Sequence, residues 1–258
     1  MSMIPDKKLI TLRFEQAAAT YEQQATVQHR VAERLLALLS TAVPAVAPAS
    51  ILEIGCCTGL LTEKLPARFP GLAHLAVSDL VAAFEQCICR KLGTFAGGVT
   101  FLAGDIESVR LPAHYDLIIS SSTLHWVHDL PRLCRKLRAH LNSNGILAFS
   151  LYGVDNLREI RALTGMGLRY QSLEQLSGVV AEEFQVLAAE QALETLWFSD
   201  PMAVLQHLRA TGVNSVGQQA WTRKQVKAFI LDYEQRFSGE QGVPLTYHPL
   251  FIVARPGQ

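Results

Sequence analysis

With 258 residues, 49% of them apolar, the chain is long enough to bury a sizeable core as one large domain or one domain with an elaborated insertion. Its 23 basic and 23 acidic residues cancel, so no global field draws in nucleic acid or an anionic membrane, and any acidic partner must be held by a local patch. No apolar run approaches the ~20 residues that span a bilayer, and MSMIPDKKLITLRF lacks the apolar stretch of a secretion signal, so a cytoplasmic protein is expected. Cys56, Cys57, Cys87, Cys89 and Cys134 are odd in number, suit a reducing compartment and show no convincing zinc spacing, so no metal is expected.

In chain order, Phe14, Ala18, Tyr21, Ala25, Gln28, Ala32, Leu35 and Leu39 advance by fours and threes, which predicts one long amphipathic helix ending before Pro44. Short apolar runs then alternate with helical stretches. The strands are SILEIG, HLAVSDL, VTFLAGD, YDLIISSS and GILAFSLY; the helices are Gly59 to Phe69, Leu80 to Leu92, and Leu130 to Leu141, the last closed by a turn at Asn142-Ser143-Asn144-Gly145. This alternation predicts an α/β fold with a doubly wound, mostly parallel sheet whose strands are buried on both faces. After Leu151 come helices in NLREIRALTG, SLEQLSGVVAEEF, DPMAVLQHLRATG and TRKQVKAFILDYEQRF, a strand-like QVLAAEQALETLWF and a final strand LTYHPLFIVAR. Two late strands are expected to complete a seven-stranded sheet. The layout expected is one domain: a helical lid over 1–44, a cofactor-binding core over 45–152, a late strand with inserted lid helices over 153–244, and a final strand over 245–255.

Ligands of an open parallel sheet bind beyond the carboxyl ends of its strands. The residues found there are Gly55-Cys56-Cys57-Thr58-Gly59 after the first strand, Asp79 and Leu80 after the second, Asp105 and Ile106 after the third, and Ser120-Ser121-Ser122 after the fourth. Glycines admit close backbone approach, an acid after strand two can accept both ribose hydroxyls, and an acid after strand three can accept from an adenine amine. In combination they point to an adenosine-containing cofactor. The series is G-x-x-x-G preceded by Glu53, not the G-x-G-x-x-G of a dinucleotide site, and an acid at the end of strand one suits an ammonium group better than a pyrophosphate. S-adenosylmethionine carries such an ammonium.

These residues resemble the E/D-x-G-x-G-x-G motif of class I S-adenosylmethionine-dependent methyltransferases, with Cys57 standing where that motif has glycine. If the backbone there has positive φ, a residue with a Cβ costs about 1–2 kcal/mol. The resemblance narrows over RFEQAAATYEQQATVQHRVAERLL, LAGDIESVRLP, LIISSSTLHWVHD, TLWFSD, LRATGVNSVG and GVPLTYHPLFIVAR, which are similar to the malonyl-acyl-carrier-protein O-methyltransferase of biotin synthesis, the BioC family.

The resemblance implies transfer of a methyl group from S-adenosylmethionine to the free carboxylate of a malonyl group on acyl carrier protein. Glu53, Gly55, Cys57, Gly59, Asp79, Leu80, Asp105, Ile106 and Ser121 are then expected to bind the cofactor. Tyr21, in the A-x-x-Y segment of the lid helix, Arg209 in LRATG, and His125 after strand four are expected to face the substrate. Trp126 follows strand four beside His125, where methyltransferases of this superfamily place residues facing the methyl group, and Tyr247 and His248 are expected to pack under the lid behind them. The acidic carrier protein would dock on basic residues, with Lys7, Lys8, Arg13, Arg209 and the Arg223-Lys224-Lys227 cluster as candidates; Arg132, Arg135, Lys136 and Arg138 are read as the solvated face of a crossover helix. Two other readings stand beside this one: a class I methyltransferase for another small carboxylic acid or quinone precursor, and a non-catalytic module keeping the fold.

Overall fold

The computed structural model describes residues 2–3, 5–213 and 221–257, so residues 214–217 of the LRATGVNSVG block lie outside the described residues. A seven-stranded sheet is built from β1 (Ser50–Ile54), β2 (His74–Asp79), β3 (Gly98–Ala103), β4 (Tyr115–Ser120), β5 (Leu141–Tyr152), β6 (Phe184–Gln191) and, beyond the hairpin strands β7 (Glu194–Phe198) and β8 (Val243–Tyr247), β9 (Pro249–Pro256). Its order is β3-β2-β1-β4-β5-β9-β6. The first five strands pair in parallel, and β9 runs antiparallel to both β5 and β6. This is the doubly wound sheet that the alternation predicts. The chain leaves the β3 edge and re-enters at β4, so the strand order reverses between β1 and β4, and ligands bind at such a point.

The strands are apolar on alternate positions of both faces because each face carries its own core. Ile51, Leu75, Val77, Leu117, Ile119, Phe251 and Val253 pack under α3 (Thr26–Ala42) on one side. Leu52, Ile54, Ala76, Ile118, Leu147, Phe149 and Ile252 face α6 (Leu130–Ala139) and α8 (Leu173–Ala181) on the other. Helix starts are set by local chemistry: Asp129 caps α6 and Asp200 caps α9 (Pro201–Ala210), each followed by a proline in the first turn. Capping boxes Ser172/Gln175 and Thr222/Gln225 open α8 and α10 (Arg223–Phe237).

Several elements differ from the sequence reading. The predicted single N-terminal helix is three: α1 (Lys7–Ala17), α2 (Tyr21–Gln24) and α3. The chain breaks at Thr20, whose hydroxyl donates to the Ala17 and Ala210 carbonyls, and at Ala25, whose ψ of 38° leaves the helical region. The apolar period runs on through the breaks because all three segments bury the same side. Of the helix expected over Gly59 to Phe69 only a 3₁₀ turn at Thr62–Lys64 and the one-turn α4 (Leu65–Arg68) form; the next is a 3₁₀ turn leading into α5 (Glu85–Lys91). The expected turn at Asn142 to Gly145 is extended and belongs to β5, its extra residues absorbed by a register shift against β4. QVLAAEQALETLWF and LTYHPLFIVAR each make two strands, because β7 pairs with β8 as a separate antiparallel ribbon before the chain turns at His248 into the main sheet. Between the two halves of that ribbon lie α9 and α10; α7 (Arg158–Thr164) follows β5.

Candidate active site

The loop after β1 begins at Gly55, whose φ of +74° and lack of a side chain are both needed: a Cβ there would fall 2.2 Å from the Thr123 side chain. Its N–H donates to the Ser78 carbonyl at 2.7 Å, which ties the loop to the end of β2. Asp79 closes that strand end. Its carboxylate accepts from the Cys57 N–H and from the Val81 N–H, both at 2.8 Å, and burial pushes it up to about 6. Glu53, one residue inside β1, is 1% exposed, and burial pushes its carboxyl up to about 8 with the Asp79 charge acting in the same direction. Its Oε2 has no hydrogen-bond partner among the described residues.

Beyond these strand ends runs a cleft lined by Ile54, Gly55, Ser78, Asp79, Leu80, Gly104, Asp105, Ile106, Thr123, Trp126 and Val127, closed from above by Lys7 and Ile10 of α1. Gly104, at φ +129°, would point a Cβ into open space, so the backbone itself faces the cleft. Lys7 reaches across: its ammonium lies 2.6 Å from Asp105 and also contacts Glu107. Burial tends to raise the Glu107 carboxyl, but Lys7 and the His128 and Asp129 amides outweigh it and hold Glu107 below its ordinary value. His128 Nε2 completes the latch against the Pro5 carbonyl at 2.7 Å. The space left beneath α1 is about 60 Å³, well short of the ~300 Å³ of an ordinary ligand pocket, so with α1 in this position the cleft is largely filled.

A second, smaller chamber shares Trp126 with the cleft and is walled by Phe14, Tyr21, Gln28, Ser122, His125, Tyr152, Asn156, Tyr170, Thr211 and Val213. Its polar groups are mostly neutral hydroxyls. The Tyr152 hydroxyl lies 3.2 Å from that of Ser122, a residue held at φ +54°, a strained backbone of the kind that concentrates at functional sites. Tyr170 OH accepts from Asn156 Nδ2 at 2.9 Å, and Asn156 is fixed in turn by accepting from the His248 N–H, so the Tyr170 proton is free to donate into the chamber. Burial raises Tyr21 and Tyr152 well above their ordinary values and Tyr170 to about 12, keeping all three protonated. Burial lowers His125 to about 3, so its ring is neutral; its Nδ1 has no partner among the described residues, and its face meets Trp126 and Tyr152. Gln28 is 5% exposed with an unpartnered Oε1.

The structure therefore brings Gly55, Asp79, Leu80, Asp105 and Ile106 into one cleft, and Tyr21, His125 and Trp126 into the adjoining chamber. Glu53, Cys57 and Gly59 lie in or beneath the first loop rather than on the cleft wall, and Ser121 makes its contacts with Ser150 and Thr123. Arg209 does not join the chamber: it is exposed on α9, because a step of one residue, about 100° around the helix, carries it off the buried face that holds His207 and Leu208. Among the described residues no lysine or arginine lines the chamber. Tyr247 is buried with its hydroxyl 2.9 Å from His207 Nε2 and its ring against Tyr152, and His248 Nδ1 accepts from the Asp155 N–H; both support the chamber from behind. Sequence reasoning missed Tyr152, Asn156 and Tyr170, which no local motif marks. Gln28 was visible: a polar residue on an otherwise apolar helix face.

The reversed strand order and the cleft at its switch point define a nucleoside-binding Rossmann-like fold, and a methyltransferase-domain family model matches residues 25–223. Solved structures agree on the fold. The N-methyltransferase NodS from Bradyrhizobium japonicum, in complex with S-adenosyl-L-homocysteine, aligns with TM-score 0.53 at 16% identity over 88% of this chain and 87% of that one. The YcgJ protein from Bacillus subtilis aligns with TM-score 0.61 at 14% identity over 88% and 99%. The chain belongs to the malonyl-(acyl-carrier protein) O-methyltransferase family. A relative from Bacteroides thetaiotaomicron is 36% identical over 97% of this chain and 98% of its own length, and one from Haemophilus influenzae is 35% identical over 97% and 95%. One from Bacteroides fragilis is 38% identical over 96% of this chain, which spans half the length of that relative.

Proposed function

We infer that the protein transfers a methyl group from S-adenosylmethionine to the free carboxylate of a malonyl group on acyl carrier protein, the ester-forming step that serves biotin synthesis. The observation that carries the acceptor is the full-length likeness to malonyl-(acyl-carrier protein) O-methyltransferases, since a shared methyltransferase domain alone would leave the acceptor open.

The residues present fit the cofactor. Glu53 has an unpartnered buried carboxyl oxygen suited to an ammonium, Gly104 offers bare backbone, and Asp79 and Asp105 present acceptors for ribose hydroxyls and an adenine amine. S-adenosylmethionine, when bound, supplies a methyl group on an already activated sulfonium. The carboxylate needs no general base, because its ordinary pKa of ~4 leaves it ionised near neutrality. The work left to the chain is positioning and desolvation. Tyr21, Tyr152 and Tyr170 are neutral donors that can orient a carboxylate without neutralising its nucleophilic oxygen. Phe14 and Trp126 meet edge to face at 6.3 Å, and Trp126 lines both cleft and chamber, so this apolar pair can shield their junction from water. When the charge is lost on methylation, the hydroxyls lose the charged partner they hold, which favours release of the ester.

The test is a methyl-transfer assay comparing malonyl-carrier protein, malonyl-coenzyme A and free malonate, paired with complementation of a strain unable to make pimeloyl thioester. Turnover of the carrier-bound substrate with rescue is expected. Equal activity on all three acceptors sinks carrier recognition, and undetectable S-adenosylmethionine binding by calorimetry at millimolar ligand sinks the enzyme reading altogether.

A further inference from the structure

Resting on that reading, we propose that the exposed N-terminal half of α10 is the surface on which the acidic carrier protein docks. Residues 221–231 carry Arg223, Lys224 and Lys227 and no acid. All three cations are exposed, and none pairs with an acid among the described residues. Arg223 and Lys227 flank a shallow groove with Trp221, Val226, Ile230 and Leu231, and Leu231 is 57% exposed. An apolar centre rimmed by cations is what a negatively charged protein helix needs: the rim steers and the centre anchors. Trp221 is itself held by the Phe229 ring at 5.0 Å, so the groove has a rigid floor.

Position supports the assignment. Helix α10 packs on α7 and α9, and these two helices are flanked by chamber residues, Asn156 shortly before α7 and Thr211 and Val213 just after α9. A carrier seated on α10 therefore lies on the outside of the same cap whose inner side walls the chamber, which suits a substrate delivered on a long flexible arm. The other basic groove, beside Arg110, Arg132 and His140, is less suited: Glu107 stands in its wall, and its Lys136 ammonium is already held by the Ile106 and Val109 carbonyls.

The experiment is steady-state methylation of malonyl-carrier protein by the full chain and by the triple variant Arg223→Glu, Lys224→Glu, Lys227→Glu, with Arg135→Glu as a charge control on an unrelated face. KM for the carrier-bound substrate should rise at least tenfold in the triple variant, with kcat and the affinity for S-adenosylhomocysteine unchanged and with Arg135→Glu behaving as wild type. Leu231→Glu should raise the same KM. An unchanged KM in the triple variant, or an equal rise in Arg135→Glu, overturns the docking face while leaving carboxyl methylation standing. Failure of the wild-type protein to methylate malonyl-carrier protein overturns the underlying reading instead.

Discussion

Glu53 is buried, and burial pushes its carboxyl up to about 8; the ammonium contact proposed above would instead hold it ionised. Ligand binding must then expel a proton whenever Glu53 starts protonated. With the carboxyl titrating at about 8, it is half-ionised at pH 8 and only about one part in a hundred ionised at pH 6. The contribution of Glu53 to affinity should fall about fiftyfold over that range, ~2.3 kcal/mol. The perturbation is Glu53→Gln, which keeps the shape and removes the titration. The assay is calorimetric binding of S-adenosylhomocysteine to both proteins from pH 6 to pH 8, taking the ratio of dissociation constants at each pH so that the ligand's own amine cancels. The ratio of variant to wild type should grow by about fiftyfold from pH 6 to pH 8. Parallel profiles for the two proteins would refute the assignment of Glu53 to the ammonium. The sign for folding is the reverse: a carboxyl raised above its unfolded value is most favourable below that unfolded value, so stability without ligand falls as pH rises toward 8, and Glu53→Gln removes that slope in thermal melts.

Three further predictions test the other parts of the site. Tyr170→Phe removes one hydrogen-bond donor to a charged group, worth ~1.5–3 kcal/mol, and should raise KM for the malonyl substrate at least tenfold while leaving S-adenosylhomocysteine affinity alone; a matching loss of cofactor affinity would move Tyr170 out of the substrate chamber. Lys7→Met breaks the latch on Asp105 and Glu107 and, at ~1 kcal/mol for a partly exposed pair, should speed S-adenosylhomocysteine association about fivefold in stopped flow; an unchanged rate means that α1 does not gate the cleft. Cys57 sits at φ +48°, so Cys57→Gly should recover ~1 kcal/mol of backbone strain, read as a higher thermal midpoint, whereas Cys57→Ala should not; an effect of equal size in both variants would trace to the thiol instead.

The backbone at Cys57 keeps the conformation that glycine favours. Its N–H is the donor that fixes Asp79 Oδ2, a contact any residue at that position could make, while its φ is the one glycine adopts without strain. Cys57, Cys56 and the other cysteines are free thiols, and among the described residues there is no cluster that could hold a metal ion and no helix long and apolar enough to cross a membrane.

The sheet was legible because its information is local. Apolar runs such as SILEI, with Ile51, Leu52 and Ile54, are required wherever both faces of a strand are buried, and the strand ends at Gly55, Asp79 and Asp105 follow by counting. The cofactor cleft inherits that legibility, since the switch point of a parallel sheet places those ends side by side. The adjoining chamber does not. Tyr21, His125, Tyr152, Tyr170 and Thr211 are spread over 190 residues and meet only because α2 and α3 fold back over the β4 and β5 ends and α9 closes the remaining side. Arg209 shows the limit most plainly: the family resemblance implied a carboxylate partner, but a step of two residues on α9, about 200° around the helix, leaves it in solvent while His207 turns inward to Tyr247. Sequence determined the sheet, its ligand edge and the residues that stand on it; side-chain direction around each lid helix, and with it the choice of hydroxyls over a guanidinium in the chamber, was decided by which helix face the core could bury.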